Sequence, residues 1–159
     1  MILISACLCG VNCKYNGKSN YNKAIEDLVK LRKAIILCPE QLGGLTTPRR
    51  CCEIKDGSGE DVLHGRGKVI NNLGEDITEN FTRGAEEALR IAKLYNVEYA
   101  ILKKKSPSCG YGEIYNGNFT GEVISGNGVT AELLSENNIK VFNEDNYKPE
   151  LFMKLDYAF

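Results

Sequence analysis

The sequence predicts an α/β fold: a single domain over residues 1–159, with a mostly parallel sheet flanked by helices in a Rossmann-like three-layer arrangement, and a small hairpin excursion. Three short apolar runs predict buried parallel strands, because such strands are covered on both faces. Segments with helical periodicity lie between these runs, as crossover helices do in a parallel sheet. A length of 159 residues also suits one domain with one core.

The three strand-like runs share an ending, because a cysteine follows each of them. Cys7 follows residues 1–6, Cys38 follows residues 34–37, and Cys109 follows residues 99–102 after three lysines and a short turn. In open α/β sheets, ligands bind at the carboxyl ends of the strands. If the three strands are parallel neighbours, their thiols converge above one edge of the sheet and suggest a ligand set.

The remaining elements follow from periodicity and turn residues. The predicted helices are 22–33 with Asn20 or Asn22 as its cap, a long helix from Asp76 to about Tyr95 with Glu79 completing a capping box, and a helix from 128 to 134. The last predicted strand is 140–142. The predicted hairpins are one within 55–68 and a second that joins 114–115 to 119–120 over the site.

Composition and charge narrow the class of protein. Hydrophobic residues make up 43% of the chain, and no apolar run approaches the roughly 20 residues that a membrane span needs. The amino-terminal residues lack the basic leader of a signal peptide, so a cytoplasmic location is expected. A net charge of −1 gives no general attraction to nucleic acid. The best local basic patch is Lys103–Lys105. Because such basic clusters are few, a small-molecule partner is favoured over a nucleic acid or a membrane.

Seven cysteines form an odd and high count for a cytosolic chain, in which cysteine clusters are more often metal-binding or catalytic than disulfide-forming. Cys9 and Cys13 are possible extra ligands, but no C-x-x-C pair occurs among the first cysteines. Cys51 and Cys52 are adjacent and cannot readily present both thiols to one metal. The only histidine, His64, lies in a polar segment and is expected to be solvated.

Other chemically useful residues also follow the predicted strands. After the second strand come the carboxylate of Glu40, the flexible Gly43 and Gly44, and Arg49, whose guanidinium could orient an anionic or carbonyl group of a substrate. Before Cys109, Ser106 and Ser108 flank a proline, so their hydroxyls and the turn amides are available as hydrogen-bond donors. Arg49, Ser108 and the two glycines are the expected substrate-binding residues.

These motifs together resemble the thiouracil desulfidase family. The resemblance is carried by Ser5–Leu8 with Gly10, Tyr15–Gly17, Cys38–Glu40 with Gly43–Leu45 and Pro48–Arg49, Glu53–Ile54, Gly59–Val62, Ser106–Gly110, Ile114–Tyr115 and Gly126–Leu134. It covers nearly the whole chain in order. It implies an α/β fold with a 4Fe-4S cluster on three cysteines and one iron open to the thiocarbonyl sulfur of a substrate.

Carried over residue by residue, the resemblance makes Cys7, Cys38 and Cys109 the cluster ligands. It places the family's catalytic carboxylate at Glu40 and its catalytic serine at Ser106. The implied reaction is a non-redox desulfuration of a thiolated nucleobase-like compound, such as 2-thiouracil, to uracil and sulfide. Thiolate ligands suit an iron-sulfur cluster, and a base near the open iron could activate water.

Two alternatives remain open at this point. The first is a module in which zinc or a saturated cluster has only a structural role, with Cys9 or Cys13 as the fourth ligand. The second is a sulfurtransferase that carries sulfur as a persulfide on one cysteine and needs no metal. The sequence indicates neither the exact thiolated substrate nor the oligomeric state.

Overall fold

The structure, a computed structural model, describes residues 1–31 and 34–153. Its strands are β1 (Ile2–Ser5), β2 (Ala34–Leu37), β3 (Cys52–Lys55), β4 (Lys68–Asn71), β5 (Tyr99–Leu102), β6 (Glu113–Tyr115), β7 (Val123–Ser125) and β8 (Lys140–Asn143). Its α-helices are α1 (Lys23–Lys30), α2 (Pro39–Leu42), α3 (Gly59–Leu63), α4 (Thr78–Leu94), α5 (Val129–Glu136) and α6 (Pro149–Met153). A single turn of 3-10 helix, Ala6–Cys9, follows β1.

A four-stranded parallel sheet with the order β2-β1-β5-β8 is the centre of the fold. β1 lies between β2 and β5, with Ile2 opposite Ala34 on one side and Tyr99 on the other. All four residues of β1 are buried, as expected for a strand with neighbours on both sides and helices on both faces. The predicted α/β fold with a mostly parallel sheet is confirmed.

The two faces of the sheet pack against different helices because neighbouring residues of a strand point to opposite sides. On one face, Leu3 packs in a cluster with Ala88 of α4 and Leu134 of α5. On the other face, Ile4 packs in a cluster with Ile25 of α1, together with Phe152 of α6. The result is the three-layer arrangement that the sequence predicted.

The amino-terminal helix cap agrees with one of the two predicted candidates. Asn22 is the N-cap of α1, and its side-chain oxygen accepts a hydrogen bond from the Ile25 N–H at 3.3 Å. The helix ends at Lys30, whereas the prediction extended it to residue 33; residues 32 and 33 lie outside the described residues.

The start of the long helix differs from the prediction. The N-cap of α4 is Ile77, not Asp76, and no capping box forms. Asp76 instead accepts hydrogen bonds at its Oδ1 from the N–H and the hydroxyl of Thr78, while Glu79 forms an ion pair with Arg83 one turn later. A side chain that hydrogen-bonds to the backbone two residues on competes with the cap that the sequence pattern suggests.

The sequence predicted both hairpins, but the strands that form them differ from the prediction. The first pairs β3 with β4, so its strands begin before and end after the interval 55–68, and α3 lies between them. The second pairs β6 with β7, whereas the prediction paired 114–115 with 119–120. Phe119 and Gly121 have left-handed backbone angles, with φ of 56° and 82°, which bend the chain and cannot continue a strand. Residues 116–121 are therefore a turn.

The hairpins and the helices share a separate core, formed by Ile54 of β3, Val69 of β4, Phe81 of α4, Ile114 of β6 and Val129 of α5. This core places the turn of residues 116–121 on the same side of the molecule as the carboxyl ends of β1, β2 and β5. No helix within residues 1–31 and 34–153 is long and apolar enough to cross a membrane.

Candidate active site

A cavity of about 550 Å³ lies at the carboxyl edge of the parallel sheet, and Cys7, Cys38 and Cys109 all contribute to its lining. Cys7 lies in the 3-10 turn after β1, Cys38 immediately after β2, and Cys109 in the turn after β5. Because β2, β1 and β5 are neighbours in that order, thiols from distant parts of the sequence reach one cavity. A volume in this range is typical of small-molecule sites.

Cys38 is the one residue between β2 and α2, because it is the N-cap of that helix and Pro39 is the first helical residue. The fixed φ of proline suits that position, and its missing N–H removes no helical hydrogen bond there. Glu40 follows in the first turn of α2. The strand-to-helix junction thus places the Cys38 thiol and the Glu40 carboxylate at the same cavity.

A fourth thiol, that of Cys13, lies between Cys7 and Cys38 and lines the same cavity. Its side chain is buried, and it interacts with both neighbouring thiols. Hydrogen bonds to Cys38 and Cys7 raise the pKa of Cys13, so its proton is retained. The sequence had left the role of Cys13 open, because its contact with Cys38 depends on the fold and not on spacing.

The three predicted ligand thiols differ in acidity. The hydrogen bond with Cys13 is the main factor that lowers the pKa of Cys38 to about 6, against the opposing effect of burial. The same interaction lowers the pKa of Cys7, which also accepts a weak hydrogen bond from the Asn20 amide at 3.9 Å. Burial raises the pKa of Cys109.

Glu40 is fixed by two partners, one on each carboxylate oxygen. The Arg49 Nε donates to Glu40 Oε2 at 2.6 Å, and the Ser106 hydroxyl donates to Glu40 Oε1 at 3.4 Å. The Ser106 oxygen also accepts the N–H groups of Ser108 and Cys109, at 3.1 and 3.0 Å. With two donors already pointing at its oxygen, the Ser106 hydroxyl directs its own proton toward Glu40.

Every nitrogen of the Arg49 guanidinium is engaged with the protein. Besides Glu40, Arg49 donates from Nη1 to the Thr47 hydroxyl at 3.0 Å and from Nη2 to the Cys13 carbonyl at 2.9 Å. Nη2 also lies 3.9 Å from the Cys38 sulfur. The side chain is only 7% exposed. Arg49 therefore orients Glu40 and the loop of Cys13, and the substrate contact expected from the sequence has no free donor in this arrangement.

The first residues of α5 hydrogen-bond to the turn that contains Cys109. The N–H of Val129 donates to the Pro107 carbonyl at 2.8 Å, and those of Thr130 and Ala131 donate to the Ser108 carbonyl at 2.9 and 3.1 Å. These are the helix-end N–H groups that have no partner within a helix. The turn carbonyls thus cap α5, and α5 in turn fixes the position of Cys109.

Ser108 has a structural role and is not among the cavity-lining residues. Its side chain is buried, and its hydroxyl lies 2.8 Å from that of Thr130 on α5. The expected substrate contact would require the hydroxyl to leave this pairing.

Gly43 and Gly44 also lie away from the cavity, at the end of α2 beside α4. A Cβ on Gly43 would collide with the backbone carbonyl of Asn80, and a Cβ on Gly84 would collide with that of Pro39. The Asn80 side chain donates to the Gly43 carbonyl at 2.8 Å. These contacts let α2 and α4 approach closely, so the structure gives Gly43 a packing role where the sequence suggested access for a ligand.

Among the described residues, no group of three His, Cys, Asp or Glu side chains is arranged to hold a single metal ion. The cavity donors are thiols from three strand ends, which are soft ligands.

The family model described as 2-thiouracil desulfurase matches residues 2–146. The chain belongs to the 2-thiouracil desulfurase family. A curated relative in this comparison, the uncharacterized protein YbbK of Bacillus subtilis (strain 168), is 49% identical over 145 residues, covering 91% of this chain and 96% of YbbK. A solved structure, that of the [4Fe-4S]-dependent thiouracil desulfidase TudS (DUF523Vcz), matches with a TM-score of 0.83 and 40% identity. That match covers 97% of this chain and 96% of the TudS chain. The resemblance stated from the motifs is confirmed.

In this member of the 2-thiouracil desulfurase family, the cavity has lining residues that sequence reasoning did not assign to the site. They include Lys14, Asn20, Glu53 and Lys103, with Cys51 and Cys52, whereas Tyr115 and Phe119 come from the segment that the sequence predicted to lie over the site. Glu53 lies in the mixed strand β3, and its burial, which is unfavourable for a carboxylate without partners, is visible only in the fold. The positions of the others also depend on tertiary contacts.

Two of the three lysines of the basic patch Lys103–Lys105 form ion pairs with neighbouring carboxylates. Lys103 pairs with Glu144 at 2.8 Å, and Lys104 pairs with Asp145 at 2.5 Å. These pairs reduce the positive charge of the patch, and the preference for a small-molecule partner over a nucleic acid stays a prediction.

Proposed function

We propose that this protein is a desulfidase that converts a thiolated nucleobase-like compound, such as 2-thiouracil, to the oxygen analogue and sulfide. The observation that carries the proposal is the single cavity in which three strand-end thiols lie beside the Glu40–Ser106 pair. Membership of the 2-thiouracil desulfurase family and the similarity to TudS support the same activity. A cytoplasmic location stays a prediction.

A 4Fe-4S cluster fits the donor set at this cavity. Cys7, Cys38 and Cys109 would hold it, because each lies at the end of a different strand and all three face the same space. Thiolates are the ligands that such clusters take from proteins. When bound by three thiolates, the cluster supplies an open iron that acts as a Lewis acid for the substrate sulfur.

Glu40 is the proposed general base. Its Oε1 faces the Ser106 hydroxyl, and its Oε2 is fixed by Arg49, so the carboxylate keeps one orientation toward the cavity. Water that attacks the thiocarbonyl carbon gives up a proton to Glu40, either directly or through Ser106. A carbon–oxygen bond forms, the carbon–sulfur bond breaks, and sulfur leaves as sulfide with the protons from water. No electrons are gained or lost, so the reaction is a hydrolysis.

The test combines cofactor analysis with an activity assay. Anaerobically purified protein should contain iron and acid-labile sulfide, absorb visible light, and release sulfide from 2-thiouracil. A colourless protein that contains zinc would support the structural module. A metal-free protein that carries cyanide-reactive sulfur would support the sulfurtransferase. Either of those results would refute the proposal.

One observation favours the saturated-cluster alternative, namely the position of Cys13 between Cys7 and Cys38. In a saturated site Cys13 would be a fourth ligand, and changing it would remove iron. Under the proposal Cys13 is a neutral neighbour of the ligand thiolates, so a Cys13→Ala variant should keep its full iron and sulfide content. Chemical analysis of that variant, beside Cys7→Ala as the comparison, separates the two readings.

A further inference from the structure

We propose that the turn of residues 116–121, held in place by Glu53, recognises the flat ring of the substrate through stacking on Phe119. The inference rests on the proposed function, because it assigns the ring-binding surface of the same cavity. It gives Glu53 the role of a positioning residue and Phe119 the role of the specificity contact.

Glu53 of β3 holds the turn in place by hydrogen bonds to its backbone. Its side chain lies in β3 and is buried, with 7% exposure. Oε2 accepts the N–H of Gly117 at 2.8 Å and the N–H of Phe119 at 3.1 Å. A carboxylate is unfavourable to bury without hydrogen bonds, and these two backbone donors supply them. The carboxylate and the turn therefore fix each other.

Gly117 brings the turn against β3. Its φ of 86° lies in the left-handed region, and a Cβ there would collide with the backbone carbonyl of Ile54. Within the turn, the Asn116 side chain accepts the N–H of Asn118 at 2.9 Å and donates to the Thr120 hydroxyl at 3.0 Å. The turn is thus held both by its own hydrogen bonds and by the strand beneath it.

Phe119 and Gly121 are the residues of this turn that line the cavity, and Phe119 is the one with a side chain. It lines the cavity together with Tyr115, and its φ of 56° is unusual for a bulky side chain. Asparagine or glycine adopts that angle with less strain, so the turn itself gives no reason for an aromatic residue. Residues held in such conformations cluster at functional sites, where surrounding contacts maintain them. Here the contact from Glu53 maintains it.

The cavity lining combines two kinds of chemistry. Thiols and the Glu40–Arg49–Ser106 network are its reactive groups, while Phe119, Tyr115 and Tyr15 add aromatic surface. A conjugated thiocarbonyl ring has one polar edge and two apolar faces, and it gains most from a site that offers both. Aromatic side chains bind the faces of nucleobases by stacking. The site therefore favours planar cyclic thiocarbonyl compounds over acyclic ones.

The first experiment uses Phe119 variants of the holoprotein with verified iron content. Phe119→Gly removes the ring but relaxes the left-handed backbone, so the turn keeps its shape. It should weaken uracil binding, measured by calorimetry, and raise the KM for 2-thiouracil by roughly 10- to 100-fold, the usual effect of losing one base–aromatic stack. Sulfide release from thiourea, an acyclic thiocarbonyl compound, should be little changed. Phe119→Tyr should behave as the wild type, and Phe119→Leu as the glycine variant.

The second experiment separates positioning by Glu53 from a role in the chemistry. Glu53→Gln keeps an oxygen that can accept both N–H groups, so binding and turnover should stay close to wild type. Glu53→Ala releases the turn and should raise KM as Phe119→Gly does, with a smaller change in kcat. The matched control is Glu113→Gln, an exposed glutamate on the same hairpin. A loss of kcat at unchanged KM in Glu53→Gln would overturn the positioning role.

The outcomes also distinguish this inference from the proposed function. If wild-type protein binds uracil through Phe119 but releases no sulfide, the ring-binding turn stands and the desulfidase proposal fails. If wild-type protein releases sulfide and the Phe119 variants match it, the desulfidase proposal stands and the ring-binding turn is wrong. Failure of the wild-type holoprotein to bind uracil also overturns the inference.

Discussion

Ser106 Oγ lies 3.4 Å from Glu40 Oε1, although 66 positions separate the two residues in the chain. Glu40 lies in the first turn of the short helix after β2, and Ser106 lies in the turn after β5, so the pair exists only because both strands flank β1. The two cavity walls that carry the proposed base and its hydroxyl partner are therefore joined by one hydrogen bond.

Replacing Glu40 by Gln tests the proposed base. The amide keeps the size of the side chain, and its single oxygen can still accept the hydrogen bond of Arg49, but the NH2 group then faces Ser106 and the side chain has lost its basicity. Iron content and absorption spectrum should be unchanged, while sulfide release from 2-thiouracil should fall roughly 10²- to 10⁴-fold. Activity within a few-fold of wild type would show that Glu40 only holds Arg49 and the turn.

The cysteines should divide into two groups when each is replaced by Ser. Loss of Cys7, Cys38 or Cys109 removes a proposed strand-end ligand, so iron and labile sulfide should be lost together. Cys9, Cys51 and Cys52 match no ligand position of the family, and their Ser variants should keep the cluster. Cys51 and Cys52 are sharp controls because they line the same cavity as the ligands. Iron loss from either one would mean that the ligand set is wrongly assigned.

Cys38 and Cys52 should differ in reactivity with iodoacetamide in metal-free protein. The pKa of Cys38 is lowered to about 6, chiefly by the Cys13 thiol, whereas burial raises the pKa of Cys52 to about 12. Only the thiolate reacts. Near pH 7.5 Cys38 is therefore ionised and Cys52 is not, and the labelling of Cys38 should fall only as the pH drops through about 6. Peptide mapping by mass spectrometry measures both sites in one sample, and equal labelling would contradict the assignment.

Thr130→Val should destabilise the fold by about 1–3 kcal/mol, because it leaves the buried Ser108 hydroxyl without its partner. Urea unfolding measures the change. Adding Ser108→Ala to the same chain removes the stranded hydroxyl and should recover part of the loss. An unchanged unfolding midpoint in Thr130→Val would show that the hydroxyl pair contributes little.

The sequence predicted the sheet because β1, β2 and β5 are apolar runs, and such runs need no knowledge of distant contacts. The same local signal located Asn22 as a cap. It failed at Asp76, where the carboxylate binds the Thr78 N–H and hydroxyl, and at Phe119, whose left-handed backbone has no mark in the sequence.

The site was harder to predict than the fold, since its contacts are made across the chain. The positions of Arg49 against Glu40 and of Cys13 between two thiols depend on how three loops meet. The role of Gly43 could not be predicted from the sequence for the same reason. Its signal, a flexible glycine after a strand, is identical for a ligand-binding loop and for a helix crossing, and only the position of α4 decides between them.

The order β2-β1-β5 also has a consequence for assembly. Bridging Cys7, Cys38 and Cys109 closes loops of about 30 and 70 residues, an entropic penalty that an unfolded chain would bear in full. Once β1 has paired with β2 and β5, the three cysteines are already close together, and binding the cofactor closes no further loop. With the proposed ligand set, the folded polypeptide would be the template into which iron and sulfide are loaded, and the inserted cofactor would oppose separation of β1 from both of its neighbours.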